Sequence, residues 1–176
     1  MARRIRRPRR SSCPVATSLD IFGDRWSLLI IRDLLFTDSR RFSDFARADE
    51  AIATNVLTDR LELLECEGLI LRRPDPADGR KFVYDLTRKG FDLALVIVQM
   101  VIWAARHERT AAPPDLVRQM ERDPEKFVKG LRARWERSLA PMSSSDIGAS
   151  HRLSGASSVN SPCSNTTPER PAIEIA

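Results

Sequence analysis

The side chains best suited to directed chemistry cluster in "ATNVLTDRLELLECEGLI", residues 53–70. At ~100° of rotation per residue, a helix over this stretch sets Leu57, Leu61 and Leu64 on one face. Asn55, Thr58, Asp59 and Glu62 then fall together on the other. That face offers amide, hydroxyl and carboxylate groups, which make hydrogen bonds in fixed directions. Clustered Lys and Arg would instead give diffuse affinity for a polyanion. An amide such as Asn55 fits an adenine edge with two bonds, and Thr54 and Thr58 suit a base edge or a thymine methyl. A carboxylate at Asp59 or Glu62 can accept from cytosine N4, although phosphates nearby would repel it. Arg60 points away from this face and suits an intramolecular ion pair. For the helix in isolation, a merely solvated polar face capped by Thr54 is the simpler explanation.

A second set of groups carries charge. Arg40 and Arg41 precede the helices of this region, and Arg72, Arg73, Arg80 and Lys81 flank "PDPADG". Four cations around one loop beside DNA can bind phosphates or enter a minor groove. The competing reading is a solubilising loop partly neutralised by Asp75 and Asp78. Cys13 precedes Pro14 at a helix start, where the backbone dipole favours an anion such as a thiolate. Redox reactivity there stands against a plain packing or inert cysteine, and Cys66 reads as packing.

Other chemistry is poorly provided for. The cysteines Cys13, Cys66 and Cys163 are odd in number and far apart, and His107 and His151 are the only histidines. Neither a disulfide framework nor a metal site is expected, and a reducing cytoplasm is the default compartment. There is no Gly-rich phosphate loop and no nucleophile–base pairing, so no enzyme and no cofactor are expected. The apolar run Leu93 to Ala105 falls short of the ~20 residues a membrane span needs. No apolar segment follows the N-terminal arm as a secretory signal would require.

The elements that position these groups follow from punctuation. Pro14 suits the first turn of a helix that Gly23 ends near Phe22. Asp24 is placed to cap a helix from Arg25 to Phe36, with Trp26, Leu29, Ile30 and Leu34 at core spacing. Ser43 caps a short third helix, "DFARA", and Gly68 closes the fourth. The period then changes: Phe82, Tyr84 and Leu86 alternate with Lys81, Val83 and Asp85, the pattern of a half-buried strand, paired with "LILRRP". Thr87 caps a long helix, Arg88 to about Arg109, whose middle is apolar nearly all round. A last helical segment, Asp115 to Leu139, breaks at Asp123-Pro124 and repeats Phe127, Leu131 and Trp135.

This order predicts a mainly α fold with a small β-hairpin, a winged helix-turn-helix, in which the fourth helix, the one that Gly68 closes, is the recognition helix. The 176 residues are 42% hydrophobic and 30% charged, ordinary for a globular protein. Their net charge of +5 is unevenly spread. Residues 1–12 hold six Arg and no acid, whereas residues 13–140 hold 21 charges of each sign. The organisation expected is an arginine-rich disordered arm (1–12), the winged helix-turn-helix (13–110), a helical extension (111–140) and a polar disordered tail (141–176). An all-round apolar helix is best buried both in its own domain and against a second copy, giving a homodimer whose recognition helices lie ~34 Å apart.

The stretches "CPVATSLDIFGDRWSLLIIRDLL", "RRFSDFARA", "IATNVLTDRLELLECEGLI" and "VYDLTRKG" together resemble the HxlR family of winged-helix transcriptional regulators, relatives of MarR-type proteins. The resemblance spans about Cys13 to Thr110. It implies a homodimer that binds double-stranded operator DNA, and in some members sensing of oxidants or electrophiles through the cysteine at the Cys13 position. Many members open the recognition helix with Ser-Pro, where this chain has Ala53-Thr54. The expected site is therefore Thr54, Asn55, Thr58 and Asp59 for bases, Arg40, Arg41, Arg72, Arg73, Arg80 and Lys81 for phosphates, and Cys13 for redox. The alternative is a winged helix that binds another protein and reads no DNA sequence, which the neutral body and mixed charge would suit. The effector, if there is one, is not specified by the sequence.

Overall fold

A computed structural model of the chain describes residues 11–37 and 39–139. The helices are α1 (Pro14–Phe22), α2 (Arg25–Phe36), α3 (Phe42–Ala46) and α4 (Thr54–Cys66). A hairpin of β1 (Ile70–Asp75) and β2 (Asp78–Leu86) follows, then α5 (Arg88–Phe91), α6 (Ala94–His107), α7 (Pro114–Arg122) and α8 (Pro124–Leu139). The architecture is the mainly α winged helix-turn-helix expected from the sequence. Residues 1–10 of the arm, the tail and Cys163 lie outside the described residues.

One core holds the domain together. Ile31, Leu57, Leu64, Ile70 and Phe91 are fully buried, drawn from α2, α4, β1 and α5. Burying a side chain of this size is worth ~1.5–3 kcal/mol, so the leucine face of α4 commits that helix to its orientation. Its C-terminal end is fixed by Gly68, whose φ of +68° is a left-handed conformation that glycine adopts without strain. Thr87 joins this end to α5: its hydroxyl donates to the Gly68 carbonyl at 2.7 Å and accepts from the Gly90 amide at 3.0 Å.

Several local expectations are corrected. Ser43 lies inside α3; the cap is Arg41, with the Asp44 carboxylate accepting from the Arg40 and Arg41 amides at 3.1 and 2.8 Å. The helix starts at Phe42, one residue ahead of Ser43, so Asp44 falls in the first turn, where a carboxylate is favoured. Thr54 is likewise the first helical residue, behind an Ala53 cap that lends no side chain. The hairpin loop is only Pro76-Ala77, because the strands pair out to Asp75↔Asp78 across a bulge at Pro74/Asp75. The alternation in β2 also fails at its inner end, where Val83, Tyr84, Asp85 and Leu86 are all buried and Phe82 is 39% exposed. The cause is a minimal third strand: the Arg40 carbonyl accepts from the Tyr84 amide at 2.8 Å, and Arg41 bridges Val83.

The long helix is interrupted at Asp92-Leu93, where the Leu93 amide turns to the Gly90 carbonyl at 3.2 Å. Its regular part ends at His107. Taken through the interruption, Arg88–His107 spans 20 residues at mean hydropathy 1.3, so by length and composition alone it can cross a membrane. This corrects the shorter estimate from Leu93 to Ala105. Phe91, Ala94, Ile97 and Val98 of the stretch are buried in the fold. The break before Pro124 and the Phe127/Leu131/Trp135 repeat both hold: α8 folds back, Phe127 meets Phe36 at 6.4 Å, and Trp135 stacks on Phe91 at 4.9 Å between centroids.

Candidate nucleic-acid interface

Helix α4 presents its polar face outward as its leucine spacing requires. Thr54, Asn55, Thr58, Asp59 and Glu62 are all exposed, while Leu57, Leu61 and Leu64 are buried. The Thr58 hydroxyl donates to the Thr54 carbonyl at 2.9 Å, which spends its proton and leaves the oxygen as an acceptor. Arg60, pointing inward, donates from Nη1 to Asp24 Oδ2 at 3.2 Å, the intramolecular pair its position suggested. Asp24 also caps α2, accepting from the Trp26 and Ser27 amides at 2.9 and 3.0 Å. Burial opposes the charge on Asp24, but the Ser27 and Trp26 bonds and Arg60 outweigh it and hold the carboxyl below its ordinary pKa.

The turn between α3 and α4 is braced from behind. Arg32 Nη1 donates to Glu50 Oε1 at 2.5 Å, and the guanidinium also pairs with Asp33. The bond to Arg32 holds the Glu50 carboxyl below its usual range, whereas burial raises that of Asp33. Next to Glu50, Ala51 has a φ of +52°, a conformation that a Cβ disfavours.

The six cations of the hairpin region are brought together but unequally engaged. Arg40 and Arg73 converge on the buried Asp85, Arg73 Nε at 2.8 Å. Arg41 donates from Nε to Asp75 at 2.6 Å, which together with the Ala77 amide keeps that carboxyl below its ordinary value. At the tip, Arg80 and Lys81 each approach Asp78 at 3.2 Å and lower its pKa in the same way. Arg72 lays its guanidinium over the Phe82 ring, 3.6 Å from the centroid. The partial neutralisation by Asp75 and Asp78 is thus present in the structure. The pairs that Asp78 makes with the exposed Arg80 and Lys81 are of the kind worth ~0–1 kcal/mol and screened by salt, so a phosphate can replace that carboxylate, whereas the buried Asp75 holds Arg41 more firmly. Arg40 is the least free of the six, being only partly exposed and anchored to a buried acid.

Sequence reasoning missed Asp85 as the anchor of two arginines and the brace of Arg32 on Glu50. The first had a signal: an aspartate inside an apolar strand is disfavoured and calls for a partner. The second had none, because the partners are 18 residues apart.

Cys13 is exposed at the N-cap position of α1, with its amide donating to the Ser11 hydroxyl at 3.0 Å. Cys66 is buried, as a packing residue should be.

A helix-turn-helix with an exposed polar second helix, followed at once by a basic hairpin, defines a winged-helix module. The HxlR-like helix-turn-helix family matches residues 21–111, and the chain belongs to it. It is 37% identical over 101 residues to the uncharacterised HTH-type transcriptional regulator Mb3122 of Mycobacterium bovis, covering 57% of this chain and 63% of that one. To the HTH-type transcriptional regulator YodB of Bacillus subtilis it is 31% identical over 111 residues, covering 62% of this chain and 96% of YodB. The chain therefore spans less than two thirds of the length of Mb3122 but nearly all of YodB. Among solved structures, PA1607 superposes with a TM-score of 0.53 at 34% identity, over 60% of this chain and 72% of that one. The redox regulator HypR in its oxidised form gives 0.50 at 29% identity, over 56% of this chain and all of HypR. These relatives are regulators with helix-turn-helix modules, in keeping with the expectation that no enzymatic activity resides here. The extension α7–α8 lies beyond the matched family region.

Proposed function

We propose that the chain is a sequence-specific transcriptional regulator of the cytoplasm that binds a palindromic site on double-stranded DNA as a homodimer. The observation that carries this reading is the exposed row Thr54, Asn55, Thr58 and Asp59 on a helix whose leucines fix its orientation, with a basic hairpin directly behind it. Laid in a major groove, α4 offers Asn55 to an adenine edge and the two threonines to neighbouring bases. Arg41, Arg72, Arg80 and Lys81 then meet phosphates or the minor groove, while Arg40 and Arg73 hold the hairpin through Asp85.

Dimerisation is supported by exposed apolar side chains on two helices, Val15 and Leu19 of α1 and Leu95, Val96, Met100 and Trp103 of α6. Leu19, Val96 and Met100 line one open groove, so the two faces are continuous. A patch of this kind marks an interface. Control through Cys13 is supported by its exposure at the α1 N-terminus and by the likeness to HypR, a redox regulator.

The test is retention of genomic DNA fragments by the full chain at two salt concentrations, under reducing and oxidising conditions. Selective retention that persists at the higher salt is expected. Replacing Asn55 with Ala should cost ~1–3 kcal/mol on the retained site and leave non-specific binding as it was. Equal loss on every sequence removes the base-reading role. Uniform binding that vanishes with salt in both redox states favours the protein-interaction reading instead.

A further inference from the structure

The extension closes a cavity against the winged-helix core. It measures about 80 Å3 and is lined by Leu34, Leu35, Leu86, Phe91 and Leu131, with Arg40, Arg134, Trp135, Thr37 and Ser138 supplying the polar part. About 10–15 Å3 of such volume holds one water, so there is room for several waters or one small organic molecule.

The polar groups are of one kind. Thr37 donates its hydroxyl proton to the Asp33 carbonyl at 2.7 Å, and Ser138 donates to the Trp135 carbonyl at 2.7 Å. The other donors are the indole of Trp135 and the N–H groups that remain to Arg40 and Arg134 after Arg40 Nη1 donates to Asp85 and Arg134 Nη2 to the Leu35 carbonyl. Trp135 Nε1 is buried and has no hydrogen-bond partner among the described residues. A buried donor is rarely left unpaired, and an indole can only donate. No Asp or Glu lines the space. Two positive side chains and an unpaired donor, with leucines opposite, call for an acceptor that is negatively charged and carries a short apolar body.

We infer that a small aliphatic carboxylate binds between α8 and the core, its oxygens taking the Trp135 indole N–H and the Arg40 and Arg134 guanidinium groups, its chain lying against Leu34, Leu86 and Leu131. Arg40 is also the guanidinium that holds Asp85 of β2, so an anion here draws on the anchor of the hairpin. The inference stands apart from DNA binding, because occupancy is read without DNA.

The experiment is titration of the full-length chain with butyrate, and with its neutral counterpart butyramide, followed by nitrogen–proton correlation NMR. Three tryptophans give three indole signals, and the one lost in Trp135→Phe is that of Trp135. Phenylalanine keeps the stacking on Phe91 and deletes the donor. Butyrate should shift the Trp135 signal downfield in a saturable way and move the Asp85 amide with it, whereas butyramide should bind at least tenfold more weakly. Calorimetry should show the butyrate affinity of Trp135→Phe reduced about tenfold, and that of the cavity-filling Leu131→Phe likewise. Any variant that does not fold is replaced by Arg134→Gln, whose side chain is exposed. No shift with tens of millimolar butyrate, or equal binding of butyramide, overturns the site; a still Asp85 amide overturns its link to the hairpin.

Discussion

Arg60 Nη1 lies 3.2 Å from Asp24 Oδ2, tying the recognition helix to the residue that caps α2. The same carboxylate serves two elements, so its loss should be felt twice. Asp24→Ala removes a cap worth ~1 kcal/mol and leaves a half-buried guanidinium unpaired, and should cost more than Asp24→Asn, which keeps an acceptor. Urea midpoints at neutral pH measure the difference. Because the folded carboxyl titrates below its ordinary 3.8, its contribution is present above that value and is lost as pH falls through the lower folded one. The stability gap between wild type and Asp24→Asn should therefore hold at pH 7 and close below about pH 4. A gap unchanged by acid would show that the charge on Asp24 is not what stabilises.

Asp85 gathers Arg40 and Arg73 at the base of the hairpin, with only 4% of its side chain exposed. Breaking a fully buried pair costs ~3–5 kcal/mol, but half of the Arg73 side chain is in solvent, which screens its part. Asp85→Ala should thus cost about 2 kcal/mol, chiefly through Arg40. Hydrogen exchange adds a local prediction: the Tyr84 amide, which bonds the Arg40 carbonyl, should lose protection more than amides of α6. Uniform loss across the domain would place the effect on global unfolding alone.

What was legible in the sequence and what was not divide along physical lines. Proline at position 14, aspartate at 24, glycine at 68 and threonine at 87 act on the backbone within a few residues, and each marks the helix end it was expected to mark. The leucine face of α4 was equally plain, because helical period is a local property. Capping of α3 failed because the helix begins at Phe42, which puts Ser43 inside it and Asp44 in its first turn, where the carboxylate accepts from the Arg40 and Arg41 amides. The β2 pattern failed because burial there depends on Arg40 and Arg41, some 40 residues earlier in the chain. Of the candidate DNA contacts, exposure on α4 followed from the sequence, whereas the engagement of Arg40 and Arg73 by one buried acid required the fold.

Ala51 offers a test of strain at the turn of the helix-turn-helix. Its φ of +52° costs an alanine ~1–2 kcal/mol relative to ordinary backbone, and Arg32 fixes the neighbouring Glu50 so the turn cannot relax. Ala51→Gly should relieve this and, after the added freedom of the unfolded chain, gain about 0.5–1 kcal/mol. Thermal unfolding should shift upward by a few degrees. A lower midpoint would mean that the alanine side chain contributes packing that outweighs its backbone strain.

Trp103 is 61% exposed and Met100 50% exposed on α6, beside Val96 and Leu95, while the opposite side of the same helix is buried in the core. A tryptophan and a methionine held in water on a rigid helix are favourable only if something covers them, and α7 and α8 occupy other sides of α6 by packing on Val98 and Ile102. If the cover is a second copy, placing one charge at the centre of a symmetric contact places two like charges across it. Trp103→Glu should then sediment as a monomer at concentrations where the wild type is a dimer, and its melting temperature should stop rising with concentration. Its far-ultraviolet dichroism should stay as in wild type, since Trp103 lies outside the core. DNA affinity would fall as well, because one recognition helix reads only half of a palindrome. A wild type that sediments as a monomer at every concentration would instead leave this face to a different partner.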